Sequence, residues 1–291
     1  MIDGALLLDK PVGVSSNFVL QRIKKILGAK KAGHAGTLDP LASGLLIALF
    51  GEATKFAGLL LESDKEYRAT LKLGETTATG DAEGEILKSS PVRVSAADVR
   101  AVLARFRGEI EQVPPMHSAL KHEGMPLYKL ARKGQSVERK PRRVRILDVE
   151  LLDFRSPLAE IRVRCSKGTY VRTLAEDIGA ALGTGAHLAA LRRTASGRFR
   201  VADAVALDDL AASGDRLARL LPLEALLAEL PRVDLDVGLA AKLRNGQALR
   251  LEALPEGVAA VYGPGGALLG IGRAQDGILR PLRLTQVAEK G

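Results

Sequence analysis

One cysteine, Cys165, is all the thiol chemistry available to these 291 residues. A lone thiol closes no internal disulfide and builds no cysteine-rich zinc site, and Cys165 reads as a small buried residue rather than a nucleophile. The four histidines show no metal-ligand spacing. No phosphate-binding glycine loop is present, and Gly263-Pro264-Gly265-Gly266 fits a hairpin turn better than the dinucleotide pattern. The only apolar run near the N-terminus, Ala5 to Leu8, is flanked by Asp3 and Asp9, unlike a signal peptide or membrane anchor. A cytoplasmic protein is therefore expected. Repeats, low-complexity tracts, zinc fingers, basic zippers, recognition-helix motifs and KH or RRM modules are also missing.

Acid is scarce relative to base. Asp and Glu number 34 against 43 Lys and Arg, which leaves a net charge of +9 and a pI near 9.7. The excess is clustered. Arg22, Lys24, Lys25, Lys30 and Lys31 form one group. Lys129, Arg132, Lys133, Arg139, Lys140, Arg142, Arg143 and Arg145 form a second, opposed only by Glu138. Arg192, Arg193, Arg198 and Arg200 form a third. A single such run is usually a solvated face, but three in one basic chain point to a polyanionic partner held through backbone phosphates.

Hydrophobic residues make up 46% of the chain, enough for a substantial core, and the length suits one large domain with a small one, or two medium ones. The pattern predicts a strand over Ala5 to Asp9 and a helix from about Phe18 to Leu27, capped by Ser16 or Asn17. An apolar segment ending at Phe50 precedes a helix from about Glu52 to Leu61. A strand over Tyr67 to Leu73, a polar loop over Gly74 to Gly84 and a helix from Ser95 to about Phe106 follow. Leu147 to Leu152 and Glu160 to Cys165 read as strands, and Thr173 to Leu182 as a helix. One or two Leu- and Ala-rich helices are expected over Ala202 to Leu230. Beyond Pro231, short Val/Leu segments between Gly and Pro suggest a small β-rich domain. Without a regular βαβ repeat, the expectation is an α+β fold.

The most unusual stretch is AGHAGTLDPLASGLL, from Ala32 to Leu46. Pro40 bars Asp39 from the helical region and holds it extended, while Gly33 and Gly36 let the backbone turn on both sides of His34. A carboxylate is thereby fixed on a stiff loop just ahead of an apolar run. Taken alone, an Asp beside Pro and Gly is most often a turn residue.

That loop does not stand alone. Gly4 to Pro11, Gly33 to Gly44, Gly51 to Lys55, Asp64 to Tyr67, Thr77 to Asp81, Pro115 to Lys121 and Cys165 to Arg172 together, in collinear order, resemble the bacterial TruB family of tRNA pseudouridine synthases. The resemblance covers residues 1 to about 200 closely and the tail after Pro231 more loosely. It implies a largely antiparallel central sheet flanked by helices, a catalytic domain over 1–230 with a mobile basic clamp over 117–145, and a PUA-like RNA-binding domain over 231–291. It also implies isomerisation of a T-loop uridine of tRNA, position 55, to pseudouridine. Such a reaction has no redox or hydrolytic step and calls for no cofactor and no metal.

Residue by residue, the resemblance makes Asp39 the catalytic carboxylate and Arg172 its ion-pair partner. Tyr67 becomes the tyrosine that stacks on the base and is a candidate to take its C5 proton. Tyr170 and Leu191 line the uracil pocket, and His34 enters the RNA to hold the loop open with the base flipped. Lys10, Lys30, Lys31, Arg142, Arg143, Arg192 and Arg193 are the candidates for RNA backbone contact. His117 departs from the family, which often has tyrosine there. Two other readings stay open at this level, a tRNA-folding chaperone without catalysis and a synthase acting on another RNA. Attack by Asp39 on C1′, attack on the base and assistance of a glycal route are equally compatible with the sequence. A monomer is expected.

Overall fold

A computed structural model describes residues 2–118, 120–131 and 133–286. Ala119 of the Pro115–Lys121 motif and Arg132 of the second basic cluster lie outside the described residues. The catalytic region is built on a ten-stranded sheet. Its main path runs Val205–Ala206, Gly4–Lys10, Ala42–Phe50, Ala186–Ser196, Lys65–Leu73, Leu158–Cys165, Arg142–Arg155 and Gly108–Gln112, with Ala32–Ala35 and Phe199–Arg200 pairing off it. Pairing is antiparallel except where Gly4–Lys10 meets Val205–Ala206 and where Ala42–Phe50 meets Ala186–Ser196. The fold is α+β, as expected.

The two most apolar strands are covered on both faces, which is why they read as unbroken hydrophobic runs. Leu6, Leu8, Leu46, Ala48 and Phe50 face the helix Ser16–Leu27, which buries Val19, Leu20, Ile23 and Leu27 at three- and four-residue spacing. Leu7, Leu45, Ile47 and Leu49 face the other way, into a cluster shared with Phe56, Ala260, Tyr262 and Ile271. The C-terminal residues thus complete the catalytic region's core. They form a five-stranded sheet in the order Arg232–Asp234, Gly257–Tyr262, Leu268–Gln275, Ile278–Leu284 and Leu249–Arg250, the small PUA-like domain. Its far face is covered by the helix Val237–Arg244. At the junction Lys55 donates to the Leu284 carbonyl at 2.8 Å, and the Gln286 N–H donates to Glu52 at 2.6 Å.

Several local expectations are corrected. Ser15, not Ser16 or Asn17, caps the first helix, accepting from the Phe18 N–H at 3.1 Å. The helix expected over Glu52 to Leu61 is split into a 3-10 stretch, Gly51–Phe56, and a short α-helix, Ala57–Glu62. The Leu- and Ala-rich segment after Ala202 does hold two helices, as expected, but only short ones, Leu207–Ala212 and Leu223–Leu227, because the chain returns to pair with the first strand at Val205–Ala206 and again at Leu221. Gly33 and His34 belong to the strand Ala32–Ala35, so the turn begins only at Gly36, with φ of 88°. Among the described residues no helix is long and apolar enough to cross a membrane.

Candidate active site

The Asp39 loop is secured from three directions. Ser16, buried in the first turn of its helix, donates to the Leu38 carbonyl at 2.9 Å and accepts from the Leu38 N–H at 2.8 Å. Gly13 N–H donates to the Pro40 carbonyl at 2.8 Å, and Ala42 N–H to the Asp39 carbonyl at 3.0 Å, closing the turn that leads into the strand. Backbone is held on both sides of Asp39, while its side chain keeps 46% of its surface exposed.

Arg172 supplies the countercharge. It lies in the first turn of the helix Val171–Ala181 with 7% of its side chain exposed, and its guanidinium reaches Asp39 at 3.0 Å and Asp81 at 3.4 Å. The remaining donors go to the His117 carbonyl at 2.6 Å and the Thr79 carbonyl at 3.3 Å. The start of this helix is itself fixed, since Gln112 and the Tyr170 backbone exchange two hydrogen bonds of 3.0 and 3.3 Å. Asp81, at 3% side-chain exposure, is the partner that reading the sequence missed. Its loop, Thr77 to Asp81, is one of the family-like segments, but a partner about ninety residues away leaves no local signal.

Beneath the loop, one rung of the sheet runs Gly44, Arg193, Tyr67, Val163. Two residues along, Leu191 stands between Ala42 and Ala69. Asp39, Tyr67, Tyr170, Arg172 and Leu191 therefore converge on one cavity of about 340 Å³. His117 and Ser118 close one side of it. Burial pushes the Tyr67 hydroxyl above its ordinary pKa, and the nearby Arg193 guanidinium opposes that shift. Burial raises the Tyr170 hydroxyl in the same way. His34 lies in the adjoining strand, and burial together with Arg193 lowers its pKa, favouring the neutral ring. The His34 Nδ1 is buried without a hydrogen-bond partner.

Two of the cations expected on the RNA are not at the surface. Arg193 is 1% exposed, donating to the Leu45 carbonyl at 2.7 Å and the Gly36 carbonyl at 3.0 Å. Lys10 is fully buried, its ammonium bound to the carbonyls of Pro11 at 2.7 Å and Val14 at 2.6 Å. Neither can reach a phosphate from there. Both instead place positive charge behind the Asp39 loop, at a desolvation cost that lowers the Lys10 pKa to about 8. Lys65, which donates to the carbonyls of Leu60 at 3.3 Å and Leu61 at 2.7 Å, is likewise lowered to about 8 by burial. Lys30, Lys31, Arg142 and Arg143 are exposed, as a phosphate contact requires. Arg192 is partly exposed and grips Asp9 with two bonds of 3.0 and 2.6 Å. Among the described residues no group of three or more His, Cys, Asp or Glu could hold a metal. Cys165 is buried, its thiol pushed up to about 12.

The chain thus combines a mixed sheet, an arginine-held carboxylate over a small cavity and a β-rich C-terminal domain. Its fold is similar to the crystal structure of a Cbf5-Nop10-Gar1 complex, at 29% identity and a TM-score of 0.75 over 94% of this chain and 79% of that one. It is similar also to an archaeal box H/ACA sRNP Nop10-Cbf5 complex, at 27% identity and a TM-score of 0.76 over 99% of this chain and 88% of that one.

The chain belongs to the TruB family: residues 24–171 match the TruB family pseudouridylate synthase N-terminal domain. Residues 172–228 match the tRNA pseudouridylate synthase B C-terminal domain, and 231–285 the pseudouridine synthase II TruB C-terminal domain. The tRNA pseudouridine synthase B of Thiobacillus denitrificans is 55% identical over 97% of this chain and 96% of its own. That of Burkholderia mallei is 56% identical over 97% of each.

Proposed function

We propose that this chain converts a uridine in the T-loop of tRNA, position 55, to pseudouridine, with Asp39 as the catalytic carboxylate. The observation that carries this reading is the asymmetry of one ion pair. Arg172 is buried and tied on four sides, whereas Asp39 keeps 46% of its side chain exposed and lines a cavity suited to a flat base. In the reaction the bond from C1′ to N1 breaks, the base turns, and C1′ bonds to C5. The proton leaving C5 is matched by one gained at N1, so nothing is consumed and neither cofactor nor metal is called for. A single carboxylate suffices when the detached base stays enclosed and water is kept out.

In this reading Tyr67 stacks on the base, and its hydroxyl takes the C5 proton once it has given up its own, a deprotonation that burial opposes and the positive charge of Arg193 beside it favours. Tyr170 and Leu191 hold the edges of the base, and the neutral His34 ring fills the stack it vacates. Lys30, Lys31, Arg142, Arg143 and Arg192 bind the backbone. We assign 1–230 to catalysis, with 117–145 as a clamp over the RNA, and 231–291 to an RNA-binding domain. The enzyme works as a monomer in the cytoplasm. Carbodiimide mapping of an unmodified tRNA transcript treated with the protein tests the reading. One new pseudouridine in the T-loop is expected, and its absence, or its appearance elsewhere, overturns the assignment.

A further inference from the structure

Buried charge around the Asp39 cavity is out of balance. Among the described residues that line it, Asp39 is the one acid, against Lys65, Arg172 and Arg193. Arg172 is neutralised by Asp39 and by Asp81. Lys65 and Arg193 have no such partner. Lys65 is buried, and its ammonium donates to the carbonyls of Leu60, Leu61 and Ser63 around the end of the helix Ala57–Glu62. Arg193 is held in the same way by the carbonyls of Leu45 and Gly36. Asp64 and Glu62 act on Lys65 only from a distance, and Glu62 is taken by Lys167. Burial and then the like charge of Arg193 lower the Lys65 pKa to about 8, so the ammonium keeps its proton at neutral pH. Two buried cations without a counter-ion are costly, and they leave the cavity complementary to an anion from outside the chain.

Their position selects the anion. Lys65 and Tyr67 lie two residues apart on the strand Lys65–Leu73, so their side chains leave the same face, about 7 Å apart. Arg193 stands directly across from Tyr67 on the next strand. The two cations therefore border the tyrosine on which the base stacks in the reading above. A backbone phosphate stays hydrated at the surface and does not reach them, whereas the base enters the cavity they line. When the bond from C1′ to N1 breaks, its electron pair leaves with the base, which becomes an anion delocalised over N1, O2 and O4. C1′ is satisfied by Asp39 or by loss of a C2′ proton to it. Addition of Asp39 to the base puts negative charge on the same ring. All three routes open to Asp39 thus charge the base negatively. Positive charge fixed in advance where negative charge develops lowers the barrier without reorganisation.

We propose that Lys65, with Arg193 beside it, stabilises the negative charge that the base takes on as its bond to C1′ breaks. This deepens the pseudouridine reading and rests on it. The test uses two tRNAs ligated from transcript pieces, with uridine or 5-fluorouridine at the target position alone, and follows consumption of the target nucleoside in single turnover. Fluorine withdraws electrons, so its base carries negative charge more easily. Wild type should consume the two at rates within about threefold of each other, because the cavity already supports the charge. Lys65→Gln keeps a donor for the carbonyls and removes the charge. It should be slowed about hundredfold on uridine and only about tenfold on 5-fluorouridine. Lys65→Arg keeps the charge and should show the wild-type ratio. Equal slowing of Lys65→Gln on both tRNAs makes Lys65 a brace of the cavity wall and overturns the proposal. No slowing, or a Lys65→Arg ratio that follows Lys65→Gln, overturns it too. So does a preference for 5-fluorouridine beyond about tenfold in wild type, a measurement that decides the matter even if the glutamine variant does not fold. A wild-type chain that leaves both targets untouched would instead sink the pseudouridine reading itself.

Discussion

Ser16 holds Leu38 by both of that residue's backbone groups, one hydroxyl serving as donor and acceptor twenty-two residues away in the chain. The loop that presents Asp39 is thus fixed by a helix rather than by its own turn alone. Ser16→Ala leaves a buried N–H and a buried C=O without partners, at about 1–3 kcal/mol each. A lower melting temperature is expected, together with a slower single-turnover rate as Asp39 loses its register, while tRNA affinity stays within a few-fold. Wild-type turnover in a destabilised variant would make Ser16 a purely structural residue.

Asp39→Asn keeps the shape of the side chain and removes its charge. Pseudouridine formation should fall below detection, and tRNA binding should change by no more than a few-fold, as carbodiimide mapping and filter binding would show. Comparable turnover in this variant would rule out Asp39 as the catalytic group.

Tyr67→Phe separates chemistry from stacking. The ring is kept, so stacking worth about 1–3 kcal/mol per base is retained, while loss of the hydroxyl as a base should slow single turnover by roughly 10²–10⁴-fold. Affinity should hardly move. A wild-type rate in the Phe variant would leave Tyr67 a stacking role only.

Lys10 gives a pH signature. Its pKa is about 8 in the folded chain against an ordinary 10.5. Between those values the unfolded chain holds the proton that the folded chain has released, so Lys10 adds stability as pH rises from 8 toward 10.5. Chemical denaturation at pH 7.5 and pH 9.5 should show wild type gaining on Lys10→Met over that interval. A constant gap would mean that Lys10 is not held in a depressed state.

The sequence located Asp39 and Arg172 because each sits in a short, distinctive segment, and the helix Ser16–Leu27 because its apolar spacing is regular. It could not separate Ser15 from Ser16, since adjacent serines satisfy the same capping preference. Lys10 and Arg193 read as surface cations because charge carries no mark of burial. What buries them is a set of backbone carbonyls, at Pro11, Val14, Leu45 and Gly36, that exist as a site only after folding. Ala186–Ser196 escaped notice for a related reason, since its arginines break the alternation that marks a strand. Asp81 looked like one more polar loop residue because its partner, Arg172, is remote.

Gly44 lies so close to the Arg193 backbone that a Cβ there would come within 2.3 Å of the Arg193 carbonyl oxygen. This close parallel pairing joins the strand after Asp39 to one that begins at Ala186. Parallel partners far apart in sequence meet late, because loop closure must precede the contacts that reward it. A ribosome adding about 5–20 residues per second delivers Arg193 roughly eight to thirty seconds after Asp39. Through that interval the N-terminal strands lack the neighbour that completes their sheet, and the cavity has no floor. The nascent chain therefore has no complete cavity until the strand Ala186–Ser196 has been made and has slotted between Ala42–Phe50 and Lys65–Leu73.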